Sequence, residues 1–251
     1  MMTNENQGTV LVTGGSRGIG AAVVLLLAGQ GHDVCFTYLK QAEAADEVVR
    51  RVRRIGGRAW AIQADSGDPE SAPRILSRIP AEAAPLVGLV NNAGITGRLG
   101  SFVETDLETV RQVFEVNVLG VLALTQNVVR RWLAEGRQGV VVNVSSIAAT
   151  LGAPGEYVHY AASKAAIEAF TIGLGKELAP RGIRVNCVSP GTSLTDIHAA
   201  AGDADRPARV ASRIPMGRAG EPKEIAEAIA WLVSNQSSYV TGSILRVSGG
   251  L

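Results

Sequence analysis

The chain has 251 residues, 46% of them apolar and only 4% aromatic, with 29 glycines and a formal charge of +1. That length buries a sizeable core in one or two domains, and the apolar content excludes a disordered chain. The near-neutral charge gives no footing for nucleic acid or an anionic membrane surface.

The N-terminus, Met1 to Gly8, is polar and carries no basic-then-apolar signal pattern, so residues 1–8 are expected to be a flexible N-terminus of a cytoplasmic protein. Short β-branched runs follow at Thr9–Thr13, Asp33–Thr37, Arg58–Ala64, Leu86–Val90, Val140–Val144, Ile183–Val188 and Ile244–Val247. They are continuously apolar, as strands covered on both faces should be. Helical patterns lie between them near 18–29, 41–55, 68–79, 106–135, 158–179 and 222–234. This alternation predicts an α/β fold: residues 1–251 as one Rossmann-type domain, a doubly wound parallel sheet of about seven strands flanked by helices. The longest apolar stretch, Ala21 to Ala28, is too short to cross a bilayer. Cys35 and Cys187 lie in separate apolar runs and read as two buried thiols, with no metal-ligand spacing. The long irregular stretch 192–220 reads as a substrate lid.

The first strand runs into Thr13-Gly14-Gly15-Ser16-Arg17-Gly18-Ile19-Gly20 at the start of a helix. Glycines there let the backbone approach a pyrophosphate, whose charge the N–H groups of the helix start would hold. The spacing is GxxxGxG, neither the GxGxxG fingerprint nor a P-loop. Asp33 precedes the apolar part of the second strand, so it sits at the wrong edge to accept ribose hydroxyls. The cofactor edge carries Thr37, Tyr38 and Lys40 instead. With Arg17, Lys40 would favour a 2′-phosphate, and NADP(H) is expected over NAD(H). The alternative is that both cations are solvated.

Tyr160 and Lys164 lie four apart on a helix and share one face. A nearby ammonium would draw the tyrosine pKa down toward a useful range. In company with further motifs, the sequence resembles the short-chain dehydrogenase/reductase family over essentially its whole length. Thr13–Gly20 is similar to that family's TGxxxGxG loop, Asn91-Asn92-Ala93-Gly94 to its NNAG motif, and Asn117 to its active-site asparagine. Asn143-Val144-Ser145-Ser146 resembles the serine-bearing strand end, Tyr160–Lys164 the YxxxK motif, and Pro190-Gly191 with Thr192 and Thr195 the segment that holds the nicotinamide carboxamide.

The resemblance implies that Ser146 binds the substrate oxygen, Tyr160 exchanges its proton, Lys164 tunes Tyr160 and holds the nicotinamide ribose, and Asn117 anchors a relay water. Asp65 and the adjoining Ser66 match the adenine-contacting position, and Asn92, Ala93 and Gly94 the cofactor floor. One departure stands out. The family's usual serine-to-tyrosine separation of thirteen lands on Ile147, so Ser146, fourteen before Tyr160, implies one extra residue in the loop 147–159, with Ser145 as rival.

His159, about 100° round the helix from Tyr160, is expected at a surface or interface, and His198 in solvent on the lid, with substrate contact as the alternative. Arg50–Arg54 reads as a solvated helix end, and Trp132 and Trp231 as packed in interhelical seams. Arg181 resembles a site that grips an acidic carrier protein, though an ordinary helix-end arginine explains it as well. The function implied is interconversion of a small-molecule carbonyl and a secondary alcohol, similar to 3-oxoacyl-carrier-protein reductases or sugar and polyol dehydrogenases. A catalytically silent NADP(H)-sensing protein is the alternative. Close-set Val113, Val116, Leu119, Leu122 and Leu124 on the 106–135 segment, with the resemblance, imply a homotetramer.

Overall fold

The computed structural model describes residues 7–68 and 70–251, so residues 1–6 of the expected N-terminal tail lie outside the described residues. Gln7 and Gly8 are tied down: Gln7 N–H donates to the Gly31 carbonyl and Asp33 N–H to that of Gly8.

The elements alternate as the apolar periods require. β1 (Thr9–Val12) leads to α1 (Gly18–Gly29), β2 (Asp33–Tyr38), α2 (Ala42–Arg54), β3 (Arg58–Gln63), α3 (Ser71–Ser77) and β4 (Leu86–Asn91). Then come α4 (Leu107–Phe114), α5 (Gly120–Ala134), β5 (Gly139–Val144), α6 (Ala148–Leu151), α7 (Val158–Leu178) and β6 (Ile183–Pro190). Short α8 (Ile197–Ala200) and α9 (Arg206–Val210), α10 (Pro222–Val233) and β7 (Ile244–Val247) close the chain. All seven strands pair in parallel in the order β3-β2-β1-β4-β5-β6-β7. Strand order reverses between β1 and β4, and the crevice above that point is where ligands lie in such sheets.

The pleat sorts the core into two layers. Val10, Val12, Val34 and Phe36 face α1, α2 and α10, while Leu11, Cys35, Leu89 and Val141 face α3, α5 and α7. Both cysteines are buried free thiols.

The 106–135 segment is not one regular helix. Asp106 caps its start by accepting from Thr109 N–H at 2.6 Å. A π-helical turn, Glu115–Leu119, then interrupts it and carries Asn117. The wider turn seats Gly120 against the Ser66 carbonyl so closely that a Cβ there would stand 1.7 Å from the oxygen. With the turn included, Leu107–Ala134 is a 28-residue rod apolar enough by composition to cross a membrane, longer than any apolar run evident in the sequence. In the fold its Leu124, Val128, Val129 and Trp132 pack on the sheet.

The stretch 192–220 is more ordered than an irregular loop. Leu194 N–H donates to the Gly220 carbonyl and Gly220 N–H to that of Thr192, closing a neck beneath α8 and α9. Two expectations fail here and on α7. His198 is buried and its Nε2 bonds the Ser193 carbonyl at 2.9 Å, because α8 turns it inward. His159 is likewise buried, its Nε2 bonding the Thr96 carbonyl at 2.9 Å, since the segment after β4 packs over that side of α7. The Arg50–Arg54 cluster is exposed, with Arg50 and Arg54 both on Glu47.

The two tryptophans separate as well. Trp132 is fully buried, and its indole N–H donates to the Leu86 carbonyl at 2.8 Å. Trp231 remains 38% exposed on α10, at the helix flank rather than in a seam. Urea unfolding therefore should show Trp132→Ala losing about 3–5 kcal/mol, whereas Trp231→Ala should cost well under about 1.5 kcal/mol. Equal losses would contradict this packing.

Candidate active site

At the carboxyl edge of the sheet, β1 and β4 diverge, and side chains bridge the gap. The Thr13 hydroxyl accepts from the N–H groups of Asn92 (3.0 Å) and Ala93 (2.9 Å). In return the Asn92 amide donates to the carbonyls of Thr13 (2.9 Å) and Gly14 (3.2 Å). From the other side Thr37 accepts from Gly14 N–H at its hydroxyl and from Gly15 N–H at its carbonyl. The glycine turn is thus pinned by β4 and β2 together.

Its glycines are required. Gly14 and Gly18 have φ of +67° and +53°, a region costly for side chains. A Cβ on Gly20 would stand 2.1 Å from the Gly14 carbonyl oxygen. Arg17, the residue before α1, makes no side-chain cap, so the N–H groups of the first helical turn face the cleft uncapped. This cradle fits the pyrophosphate of a dinucleotide on the protein's own geometry.

One cavity of about 840 Å³ runs along this edge. Its wall includes Gly14, Ser16, Arg17, Gly18, Ile19 and Gly20 from the turn; Tyr38 and Lys40 after β2; and Asp65 and Ser66 after β3. Asn92, Ala93 and Gly94 form its floor, and Pro190, Gly191, Thr192 and Thr195 enter from the end of β6. Thr195 leans over the turn, its Cγ2 3.3 Å from where a Gly18 Cβ would be. Asp33 lies at the opposite edge, bound to Arg58 and to the Ala84 N–H. Arg17 approaches Asp196 at 4.0 Å, so one of the two cations nominated for a 2′-phosphate shares its charge with the lid. Arg181 is exposed and not part of this wall.

Ser146, Tyr160 and Lys164 reach the same cavity beside the floor. Ser145 N–H and Ile147 N–H bond the carbonyls of Val188 and Pro190, which holds the chain in the sheet past the end of β5. The Ser145 hydroxyl donates to Glu168 at 2.8 Å. The hydroxyl beside the Tyr160 phenol is that of Ser146. After α6 the chain turns through Gly152 (φ +74°) and Ala153 (φ +47°), the one non-glycine with positive φ among the described residues. That bend lies in the loop 147–159, which the spacing marks as one residue longer than the family's usual.

Lys164 Nζ donates to the Val144 carbonyl at 2.8 Å and stands 5.7 Å from the Tyr160 ring centre. Burial depresses its pKa to about 8. Burial also pushes the Tyr160 phenol well above its ordinary range, with the Ser146 hydroxyl pulling it back. Among the chain's own groups desolvation prevails at Tyr160; the expected lowering also relied on the positive nicotinamide of the oxidised cofactor, which the chain alone does not carry.

Asn117 does not line the cavity. It is 1% exposed behind the floor, donating to the Ile95 carbonyl (2.8 Å) and the Ser163 hydroxyl (3.0 Å) and accepting from Ile95 N–H. A Cβ on Gly94 would lie 3.2 Å from Asn117 Oδ1 and 3.3 Å from Lys164 Nζ, so a side chain there would press on both groups. His198 also lines the cavity, where a lid histidine could meet substrate; Tyr157, Glu156 and Arg206 line it too, and nothing in their spacing marks them. No cluster of metal-ligating side chains occurs among the described residues.

Residues 14–251 match a family model described as enoyl-(acyl carrier protein) reductase. The chain is 46% identical over 242 residues to the uncharacterized oxidoreductase YgfF of Escherichia coli (strain K12), covering 96% of this chain and 98% of that protein. It is 39% identical over 245 residues to 3beta-hydroxysteroid dehydrogenase 1 of Eggerthella lenta, covering 97% and 93%. A crystal structure of a short chain dehydrogenase from Burkholderia cenocepacia J2315 in complex with NADP superposes with a TM-score of 0.88 at 38% identity, covering 99% of each chain.

The Asn92 clamp makes a prediction of its own. Asn92→Ala leaves the Thr13 and Gly14 carbonyls without their side-chain donor. Stability should fall by about 1–3 kcal/mol, and NADPH affinity, read by fluorescence titration, should fall with it. Unchanged affinity would show that the turn holds its shape without β4.

Proposed function

The chain belongs to the short-chain dehydrogenase/reductase family, and from that premise we propose that it interconverts a carbonyl and a secondary alcohol on a small molecule, using NADP(H). The observation that carries this reading is the convergence of Ser146, Tyr160 and Lys164 with the glycine cradle on one cavity. A hydroxyl beside a phenol suits a substrate oxygen: Ser146 donates a hydrogen bond to it while Tyr160 delivers or removes its proton.

Bound NADP(H) supplies the hydride and, when oxidised, a positive ring that favours the Tyr160 phenolate. The cradle from Gly14 to Gly20 holds the pyrophosphate, Asp65 and Ser66 border the adenine, and Pro190, Gly191, Thr192 and Thr195 orient the carboxamide. Lys164 holds the nicotinamide ribose, and Asn117, through Ile95 and Gly94, keeps the floor beside it in place. Lys40 and Arg17 at the rim favour a 2′-phosphate. The relative from Burkholderia cenocepacia, crystallised with NADP, supports the same choice. The stretch 192–220 covers the substrate end as a lid. Substrates resembling 3-oxoacyl thioesters, sugars or polyols fit a cavity that mixes apolar and charged walls. Val113 and Leu124 are buried within the subunit, so of the residues that suggested assembly only Leu119 is exposed; with exposed Leu107 on α4 it supports burial in a homotetramer, whose setting we take to be the cytoplasm.

The test is a panel of ketones, 3-oxo thioesters and sugars with NADPH, followed at the nicotinamide absorbance. Tyr160→Phe should lower turnover at least about 10²–10⁴-fold and leave NADPH affinity nearly unchanged, while Lys164→Ala should reduce both. Ser146→Ala should depress turnover, and Ser145→Ala should be mild. Near-full activity in a folded Tyr160→Phe protein would refute the mechanism, and no turnover with any carbonyl would favour a silent binder. Alcohol oxidation requires the phenolate, so its rate should climb with pH on the alkaline side, where burial places Tyr160, and that limb should vanish in Tyr160→Phe. For the cofactor, NADPH should bind on the order of tenfold to a hundredfold tighter than NADH. Replacing both Lys40 and Arg17 with Ala should erode that margin. Equal binding by the unaltered protein would overturn the assignment.

A further inference from the structure

Between the lid and the loop that follows β5 lies a charged pair with no part in the roles above. Arg206, opening α9, is 9% exposed. Its Nη2 donates to Glu156 Oε2 at 2.5 Å, its Nε to both carboxylate oxygens at 3.2–3.3 Å, and its Nη1 to the Thr192 hydroxyl at 3.4 Å. The guanidinium also lies over the Tyr157 ring, 5.3 Å from its centre. Tyr157 in turn meets Tyr160 edge-on, with centroids 5.1 Å apart and ring planes at 82°. A guanidinium thus reaches the proton-transfer ring through one intervening aromatic.

A buried ion pair is weak evidence for stability, because its desolvation cancels much of the attraction. Well-packed apolar residues would hold lid and loop at least as firmly. The placement against Tyr157 is what such residues could not reproduce. We propose that Arg206, anchored by Glu156, is a positioning residue that fastens the lid and sets the packing and electrostatic surroundings of Tyr160 through Tyr157. This rests on the reading of Tyr160 as the proton-transfer group.

The charges facing Tyr160 come from four directions. On its own helix are His159 and Lys164, with Tyr157 just before its start; His159 turns to the Thr96 carbonyl and Lys164 to that of Val144. The preceding loop brings Glu156. The lid brings Arg206, Arg209 and His198, with Arg209 shared between Asp203 and Glu156 and His198 bonded to the Ser193 carbonyl. From β6, Cys187 bears on Lys164. Among these Arg206 pulls the Tyr160 phenol down, and Glu156 pushes the adjoining Tyr157 up. Cation and anion lie together beside the Tyr157–Tyr160 ring pair, so by the opposite signs of their charges neutralising one or the other should act on Tyr160 in opposite directions.

The chain holds four tyrosines, so labelling every Tyr with ¹³C at Cζ gives four resonances, and Tyr160→Phe identifies the one that matters. The full chain is titrated with and without saturating NADP⁺, with circular dichroism confirming the fold of each variant. Arg206→Gln should raise the Tyr160 midpoint by about half a unit to one unit, and Glu156→Gln should lower it by a similar amount. Arg206→Lys should stay near the unaltered protein. A clasp that merely ties lid to loop would be loosened alike by either change, and both midpoints would move the same way. Shifts of one sign, or none, overturn the proposal. Should Arg206→Gln not fold, the Glu156→Gln shift decides alone: downward supports the proposal, upward or absent overturns it. Retained turnover in Tyr160→Phe would instead refute the proposed function, whatever the titration reads.

Discussion

The interaction on which the rest of this molecule depends is the reciprocal hydrogen bonding between Thr13 and Asn92. Parallel strands that separate at a change of strand order leave backbone groups facing a cleft, and each unpaired buried group costs about 1–3 kcal/mol. Here one hydroxyl takes two N–H groups of the β4 segment, and one amide gives to two carbonyls of the β1 segment. The cleft stays open while its rims are fixed to each other. The glycine turn inherits its shape from that clamp, and Gly20 can press on the Gly14 carbonyl only because the turn has nowhere else to go.

A second polar ladder carries that register across the sheet. The Asn91 amide donates to the Thr125 hydroxyl and to Asn143 Oδ1, and the Asn143 amide donates to the Thr171 hydroxyl on α7. Each amide nitrogen in this ladder finds its acceptor, while Asn91 Oδ1 is buried without a partner, and a buried network paired to this extent favours one arrangement of its elements. It ties β4, which supplies the cavity floor, to β5 and to the helix that carries Tyr160 and Lys164. The proposed proton group is thus fixed relative to the cofactor cradle through the core, independently of the loops above.

Much of this was legible in the sequence because it is local. The strand periods placed β2 and β7 within a residue, and the glycine turn, the Asn91–Gly94 run and the Tyr160–Lys164 spacing each lie within one element or one turn. What escaped depends on partners far away in the chain. Nothing near His159 or His198 signals that a loop or short helix buries it, and Trp231 reads like Trp132 until the sheet is assembled. The π turn at Asn117 becomes apparent only when Gly120 meets Ser66. Glu156 and Arg206 are fifty residues apart and have no shared period at all.

The same division explains how a site of this kind can be fixed in its chemistry and open in its substrate. The floor and cradle are backbone groups locked by the two polar ladders, so a substitution there disturbs the fold as well as the site. The wall over the proposed reacting centre comes instead from the bend at Gly152–Ala153 and from α8 and α9, which are tied to the rest of the chain by Leu99 N–H on the Ala201 carbonyl, by Met216 N–H on the Gly249 carbonyl, and by Arg206 and Arg209 on Glu156. Burial meanwhile drives Tyr160 upward and Lys164 downward, away from the charged forms that proton transfer uses. A closed lid that places a guanidinium one ring away from Tyr160 offsets part of that desolvation. On the proposed mechanism, enclosing the substrate beneath α8 and α9 would favour the reactive ionisation, so the 192–220 stretch would take part in the chemistry as well as cover it.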